Sequence, residues 1–312
     1  MYFLVPPFDL DSLGGGDASA ISFDGTFVSS GLFPTFTETL TIQKDFSLGF
    51  DHEVPEEGYQ LYEGEGKFFN TLSLDKNGIR GNGRIDFLTT SLESQDFVFY
   101  PDSVTGAGEF FEIREEEYNG EIFPAATVEQ FEMHWLPKKD SMYVKNVGEP
   151  FQFYNQTASL DGTTIVSNGG VYGSGLLATR GSESKSDNIK LDHDRFLSRN
   201  TQFELKSDNP EKPALQGDDV RVYFDLSENV AVISPEVEGE AAIAFPYAQF
   251  NTSIKEAKWD LNEEIITMTK PDDVPLENSY FYTTREDLDS LAFMATEAVY
   301  DINTLELKVS GI

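Results

Sequence analysis

Short runs of alternating apolar and polar residues, cut by Asn-Gly and Asp-Gly dipeptides, constrain this chain more than any other feature. Thr39-Leu40-Thr41-Ile42, Asp96-Phe97-Val98-Phe99-Tyr100, Gln202-Phe203-Glu204-Leu205-Lys206 and Val220-Arg221-Val222-Tyr223-Phe224 each alternate or run apolar over the length of a strand. A period of two sends successive side chains to opposite faces of a sheet, so such runs cannot bury one face as helices. They are rich in Phe, Tyr, Val and Thr, which suit a pleated, half-buried surface. Asp24-Gly25, Asn77-Gly78, Asp161-Gly162 and Asn168-Gly169 tolerate positive φ and predict tight hairpins. Helical periodicity is confined to Arg285–Val299, where Leu288, Leu291, Ala292, Ala295 and Val299 share a face. The same window places Leu291, Phe293 and Ala295 on one side of a strand, and the strand reading is preferred. The polar stretches Gly181–Asp187 and Asp208–Gln216 read as surface loops. The fold class expected is all-β.

The chain is also similar to itself. A shift of 92 residues lays Gly78-Ile79-Arg80-Gly81-Asn82-Gly83 over Gly170-Val171-Tyr172-Gly173-Ser174-Gly175 without gaps, and Tyr62, Ser94 and Asp102 over Tyr154, Ser186 and Asp194. Nine identities over the 53 positions from 62 to 114 are few, so the three clustered glycines carry the comparison. Phe-Pro recurs at Phe33-Pro34, Phe123-Pro124 and Phe245-Pro246, and the two tryptophans, Trp135 and Trp259, follow the last two by 12 and 14 residues. The expected organisation is two β modules, 1–122 and 123–244, and a partial third, 245–312. Each would cover its open apolar face with the next, in an elongated stack of sheets, solenoid-like or an open β-sandwich. Gly78, Gly81, Gly83, Gly170, Gly173 and Gly175 are then structural, at bulges or close backbone approaches. Trp135 and Trp259 are the core anchors.

Composition narrows the functions open to such a stack. Across 312 residues, 22 Lys and Arg face 55 Asp and Glu, a net charge of −33. Nucleic-acid affinity rests on basic residues that neutralise phosphates, so duplex binding is excluded. An anionic membrane face would be repelled too. With no cysteine, disulfides, thiolate nucleophiles and Cys-based metal sites are absent. No window approaches a membrane-spanning helix, since the longest apolar stretch, Ala241–Ala248, is broken at Pro246. Met1-Tyr2-Phe3-Leu4-Val5-Pro6-Pro7 lacks the basic start and apolar core of a signal peptide. Leu305–Ile312 alternates up to its last residue, which reads as a segment excised from a longer polypeptide.

No motif commits the chain to catalysis. Gly-x-x-Gly-x-Gly reverses the dinucleotide-binding spacing and precedes the strand-like Ile85-Asp86-Phe87-Leu88. Asp24-Gly25-Thr26 and Asp161-Gly162-Thr163 have the wrong order for an aspartic protease and fit hairpin turns. His52, His134 and His193 are the only imidazoles, and none sits in a metal-binding or metalloprotease spacing. The acidic clusters (Asp9, Asp11 and Asp17; Asp192 and Asp194; Asp218-Asp219; Asp272-Asp273; Glu286, Asp287 and Asp289) make calcium the one structural cation to consider, yet none completes a calcium loop. The aromatics read chiefly as sheet core, and secondarily as the lining of a sugar-binding groove.

Phe33-Pro34-Thr35-Phe36 through Asp45-Phe46-Ser47-Leu48-Gly49-Phe50, Tyr62-Glu63-Gly64-Glu65-Gly66, Asn77–Gly83 and Phe99-Tyr100-Pro101-Asp102-Ser103 resemble segments of very large envelope proteins of Bacteroidota-type bacteria. Asp289–Phe293 and Ala298–Asp301 resemble their repeats as well. The resemblance implies an exported protein of the cell envelope or extracellular space, built of several such modules, with no catalytic residues or cofactor. The function expected is therefore a non-enzymatic structural or interaction segment, partnered by adjacent modules of a longer chain. Two alternatives stand beside it. One is a carbohydrate-binding or polysaccharide-lyase-like protein with an aromatic and acidic groove, for which a glycan is the partner. The other is a conduit for apolar ligands, similar at the level of fold alone to the bridge proteins of lipid transport.

Overall fold

Period-two patterning resolves into antiparallel strands in the computed structural model, which describes residues 1–7, 21–288 and 291–311. The fold is all-β: among the described residues the helical pieces are three-residue 3₁₀ turns at Pro137–Lys139, Leu276–Asn278 and Glu286–Leu288. The Arg285–Val299 window supplies the last of these turns and the strands Ala292–Met294 and Glu297–Asp301. Asp9, Asp11, Asp17 and Asp289 lie outside the described residues.

The chain divides into two compact units, one of residues 1–120, 126–149 and 165–169, the other of residues 121–125, 150–164 and 170–312. In the first, strands Ser22–Val28, Phe36–Ile42, Leu48–Glu53, Lys67–Asp75, Gly78–Phe87 and Thr90–Phe99 pair in succession. Thr90–Phe99 then pairs at its two ends with two short strands, Val104–Gly108 and Phe110–Ile113. The sheet forks there. One branch continues through Phe131–Leu136 and Ser141–Asn146, the other through Ala126–Val128. The branches meet through Phe111 and Phe131, whose ring centroids are 6.1 Å apart.

The second unit forks in the same manner. Ser182–Leu191, Arg195–Leu205 and Leu215–Asp225 pair in succession, and Leu215–Asp225 is matched by both Val230–Pro235 and Ile243–Phe245. Val230–Pro235 leads to Ala257–Asp260, Ile265–Thr269, Glu297–Asp301 and Glu306–Ser310. Ile243–Phe245 leads to Phe250–Thr252, Tyr280–Thr283 and Ala292–Met294. Phe245 and Tyr300 close the branches on each other with centroids 4.8 Å apart. Each core mixes aromatic with aliphatic side chains, and clusters of rings sit within it: Phe27, Phe36 and Phe50 interlock in the first unit, and Phe196, Phe224 and Trp259 in the second. Each ring so buried contributes roughly 1.5–3 kcal/mol relative to exposure.

Three local expectations are corrected. Asp24-Gly25 lies inside the strand Ser22–Val28, not in a turn. Glycine serves close packing there, since a Cβ would sit 2.3 Å from the Phe3 ring and 2.4 Å from the Leu4 carbonyl oxygen. Asp161-Gly162 is likewise within a strand, Ala158–Ser167. Gly181–Asp187 is not a loop, because Ser182–Leu191 is a strand whose inward residues begin with Ser182, Ser184 and Ser186. A strand that turns hydroxyls inward lacks the apolar alternation by which strands are recognised. Asn77-Gly78 and Asn168-Gly169 do sit at junctions between strands.

Both tryptophans are buried, and neither indole N–H has an acceptor. Trp135 lies 4.9 Å from the Phe87 ring, and a Cβ at Gly66 would fall 2.1 Å from its Cη2. Gly66→Ala should therefore cost about 1–3 kcal/mol, the usual range for overpacking. Adding Trp135→Phe in the same chain should recover part of that loss in urea unfolding. An unchanged midpoint for Gly66→Ala would refute the close contact.

Candidate functional site

The chemistry of the first unit converges on a defect in its longest strands. Between Gly81 and Gly83 the pairing with Thr90–Phe99 shifts register, a β-bulge. One extra residue reverses which face each later side chain takes. On the partner strand, Thr90, Leu92 and Ser94 are buried, then Phe97 and Phe99, so the inward set changes phase at the bulge. Gly83 stands at φ 155°, where a Cβ would lie 2.0 Å from the Phe69 carbonyl oxygen. Gly81 has ordinary φ, and glycine there leaves room for the Phe68 and Phe99 rings, 2.6 and 2.8 Å from where a Cβ would stand. Ser94 accepts from the Asp96 backbone N–H at 3.0 Å and donates to the Ala107 carbonyl at 2.6 Å, satisfying backbone groups the bulge leaves over.

The same device recurs 92 residues on. Gly78–Phe87 and Thr90–Phe99 fall on Gly170–Thr179 and Ser182–Leu191 residue for residue, and the second pair is shifted between Gly173 and Gly175. Ser186 bonds the Asn188 N–H and the Arg199 carbonyl, as Ser94 bonds Asp96 and Ala107. The Tyr62 hydroxyl donates to the carbonyls of Tyr100 and Ser103, and that of Tyr154 to the carbonyl of Arg195, the counterpart of Ser103. Tyr62 and Tyr154 both hold left-handed backbone, at φ 54° and 51°.

Above the first bulge the surface is concave, forming an open cleft of about 510 Å³. Its floor is bare: Gly83, Ser94 and Gly108. Its walls are a cross-strand row, with Phe69 opposite Arg84, Arg84 opposite Glu93, and Glu93 opposite Phe110. Gly58 closes on one side of the Phe69 ring, and the Arg84 guanidinium lies 4.3 Å above its centroid. Asp86 Oδ1 lies 3.0 Å from Arg84 Nε as an ion pair, on the edge of the guanidinium away from its terminal nitrogens. Asn82 and Gln95 add amides, and Phe110 is 41% exposed. Arg80 pairs with Asp96 beside them at 2.6 Å.

A second polar constellation lies on neighbouring strands. His52 Nδ1 is 2.8 Å from Glu38 Oε2, and its Nε2 is 2.8 Å from the Tyr59 hydroxyl. The ring stacks on Phe36 at 3.8 Å. Both ring nitrogens are occupied, so no lone pair is left for a substrate. Burial first, and then Glu38 and Glu57, push the Tyr59 phenol above its ordinary range, opposite to what an activated nucleophile needs. This cluster holds three strands together. His134 projects from an outward position of Phe131–Leu136.

Among the described residues no three His, Asp or Glu side chains gather as a metal site. Asp192 pairs with Lys190, Asp194 with Arg195, and Asp287 with Arg285. Of the glycines singled out in the sequence, Gly81, Gly83, Gly173 and Gly175 flank the two register shifts and Gly78 and Gly170 open the strands before them, while Trp135 and Trp259 are buried. Sequence reasoning missed the Glu38–His52–Tyr59 cluster and the walls Phe69, Arg84, Glu93 and Phe110, whose residues meet only through strand register. Compared with known proteins, the chain matches no family model, no curated protein and no solved structure.

The bulge glycine and the turn glycine before it should respond differently to a methyl group. Gly83→Ala, which meets backbone, should cost about 2 kcal/mol or more, while Gly78→Ala, at φ 103° with nothing within 4 Å, should cost only about 1 kcal/mol. Reversed order in urea titrations would overturn the assignment.

The tyrosines make stability fall in alkali. Burial, with Asp102 nearby, raises the Tyr62 phenol; burial, with Asp192 and Asp194, raises Tyr154; burial pushes Tyr300 up to about 12. Unfolded tyrosine titrates near pH 10. The stability these groups supply is therefore complete below about pH 10 and is lost as pH climbs through the folded values. The urea midpoint should drop between about pH 10 and 12, and Tyr62→Phe or Tyr154→Phe should flatten that drop. A midpoint unchanged across this range would contradict it.

Proposed function

We propose that this chain is a non-enzymatic scaffold segment of an exported bacterial protein of the envelope or cell surface, built from a duplicated β unit. The observation that carries the reading is the recurrence, 92 residues apart, of strand bounds, bulge, buried serine and hydrogen-bonded tyrosine together. What recurs holds backbone in place. Ser94, Ser186, Tyr62 and Tyr154 spend their hydroxyls on main-chain carbonyls, which leaves them to position strands rather than reacting atoms.

Charge suits the same role. At −33 the surface repels its own copies and polyanions, which keeps a protein displayed at high density dispersed. Adjacent modules of a longer chain are the partners this reading calls for, through backbone pairing at sheet edges. Most of the phenylalanines face inward, as a rigid spacer requires, with Phe27, Phe68, Phe111, Phe153 and Phe196 all essentially inaccessible, while Phe46 and Phe110 are exposed.

Antibody raised against the folded chain should label intact cells of the source bacterium, and protease added outside should remove the label. Antigen confined to the cytosolic fraction would overturn the proposal.

A further inference from the structure

The cleft in the first unit is not explained by the scaffold. Its floor belongs to the recurring bulge: Gly83 and Ser94 correspond to Gly175 and Ser186. Its walls do not recur. Phe69, Arg84, Glu93 and Phe110 correspond to Asp161, Leu176, Lys185 and Gln202, which share neither ring, fork nor charge with them. The bulge is built twice with different walls, so the folding requirement ends at the floor. The wall residues of the first copy answer to something outside the fold.

We propose that this cleft binds a neutral or amino-bearing saccharide, an inference independent of the scaffold reading. A pyranose offers C–H faces to aromatic rings and adjacent hydroxyls to planar polar groups that donate and accept together. Phe110 supplies an exposed ring. Asn82 and Gln95 supply amides, Glu93 an acceptor pair and Arg84 a donor fork. A cleft of about 510 Å³ lies within the usual range for small-ligand sites and has room for a short oligosaccharide. Arg84 is already fixed by Phe69 and Asp86, so binding does not have to order it.

Charge and topology exclude the competing ligands. Glu93 and Glu109 line the cleft with Asp96, which Arg80 neutralises at its edge, against the one lining cation Arg84, and this balance disfavours sulfated and uronic-acid chains and nucleic acid. An extended peptide docks by adding a strand to a free sheet edge. Here Gly78–Phe87 is paired on both sides, and beyond Thr90–Phe99 the strands Phe110–Ile113 and Val104–Gly108 take its two ends, with Ser94 bonded to the Ala107 carbonyl between them, so the floor offers no free strand edge.

The test is a glycan array of neutral, amino, uronic-acid and sulfated oligosaccharides probed with the whole chain, followed by calorimetry on the best neutral or amino hit. Phe110→Ala and Asn82→Ala remove exposed side chains and should each weaken binding about tenfold or more, with the unfolding midpoint unchanged. Gln202→Ala and Ser174→Ala, the counterparts in the second copy, should leave affinity within about twofold. An array without hits, hits confined to acidic glycans, or affinity indifferent to Phe110→Ala and Asn82→Ala would each overturn the proposal.

Discussion

A β-bulge resolved by a buried serine is the constraint on which both units depend. Sheets have a side-chain period of two, so one inserted residue would turn the remainder of a strand inside out. Here the insertion is matched by a phase change on the partner strand, and Phe97 and Phe99 enter the core that Leu92 had occupied. The cost is a set of backbone groups without ladder partners, and the Ser94 hydroxyl takes two of them. Removing it would leave buried polar groups unsatisfied, a penalty of about 1–3 kcal/mol. Glycine at position 83 follows from the same geometry, because only hydrogen fits against the Phe69 carbonyl.

Bending a sheet at such a point does more than keep a core closed. In the first unit the bulged strand Thr90–Phe99 is itself matched by two short partners; in the second the strand so matched is Leu215–Asp225, two strands beyond the bulge, and in each the sheet forks into branches that meet through aromatic side chains. Tyr62 and Tyr154 brace the loop beyond the bulge from left-handed backbone, an arrangement that propensity alone disfavours. Packing and two carbonyl acceptors outweigh that strain in the first unit. In the second, burial of nearly the whole phenol ring does the same with one.

What could be read from the sequence follows from how locally each feature is encoded. Glycine spacing is local, so it points to Gly81, Gly83, Gly173 and Gly175 at the register shifts, whereas Gly78 and Gly170 prove to be turn residues with open space around them. Alternation is local, so the all-β class was visible too. The first half of Ser182–Leu191 carries no strand signal because its inward positions are hydroxyls, whose burial depends on carbonyls of other strands. Asp24-Gly25 misled because glycine's other use, close packing against Phe3 and Leu4, leaves no signature in neighbouring residues. His52, Glu38 and Tyr59 are brought together by strand pairing, and no spacing rule on one chain segment joins them.

Comparing the two copies separates what the fold demands from what it permits. Positions that recur in geometry hold main chain: the bulge glycines, the buried serines, the bracing tyrosines. Positions that share the backbone but not the chemistry are released from that duty, and they cluster. In the first copy the released positions form a row from Phe69 to Phe110 around a bare floor; in the second they carry Asp161, Leu176, Lys185 and Gln202. A bulge needs small residues where backbones crowd, and small residues at the centre of a sheet face leave a depression once long side chains flank it. The concavity is thus a by-product of folding, and the chemistry around it is set separately. Copies of such a unit can keep one architecture while each presents a different surface to its surroundings.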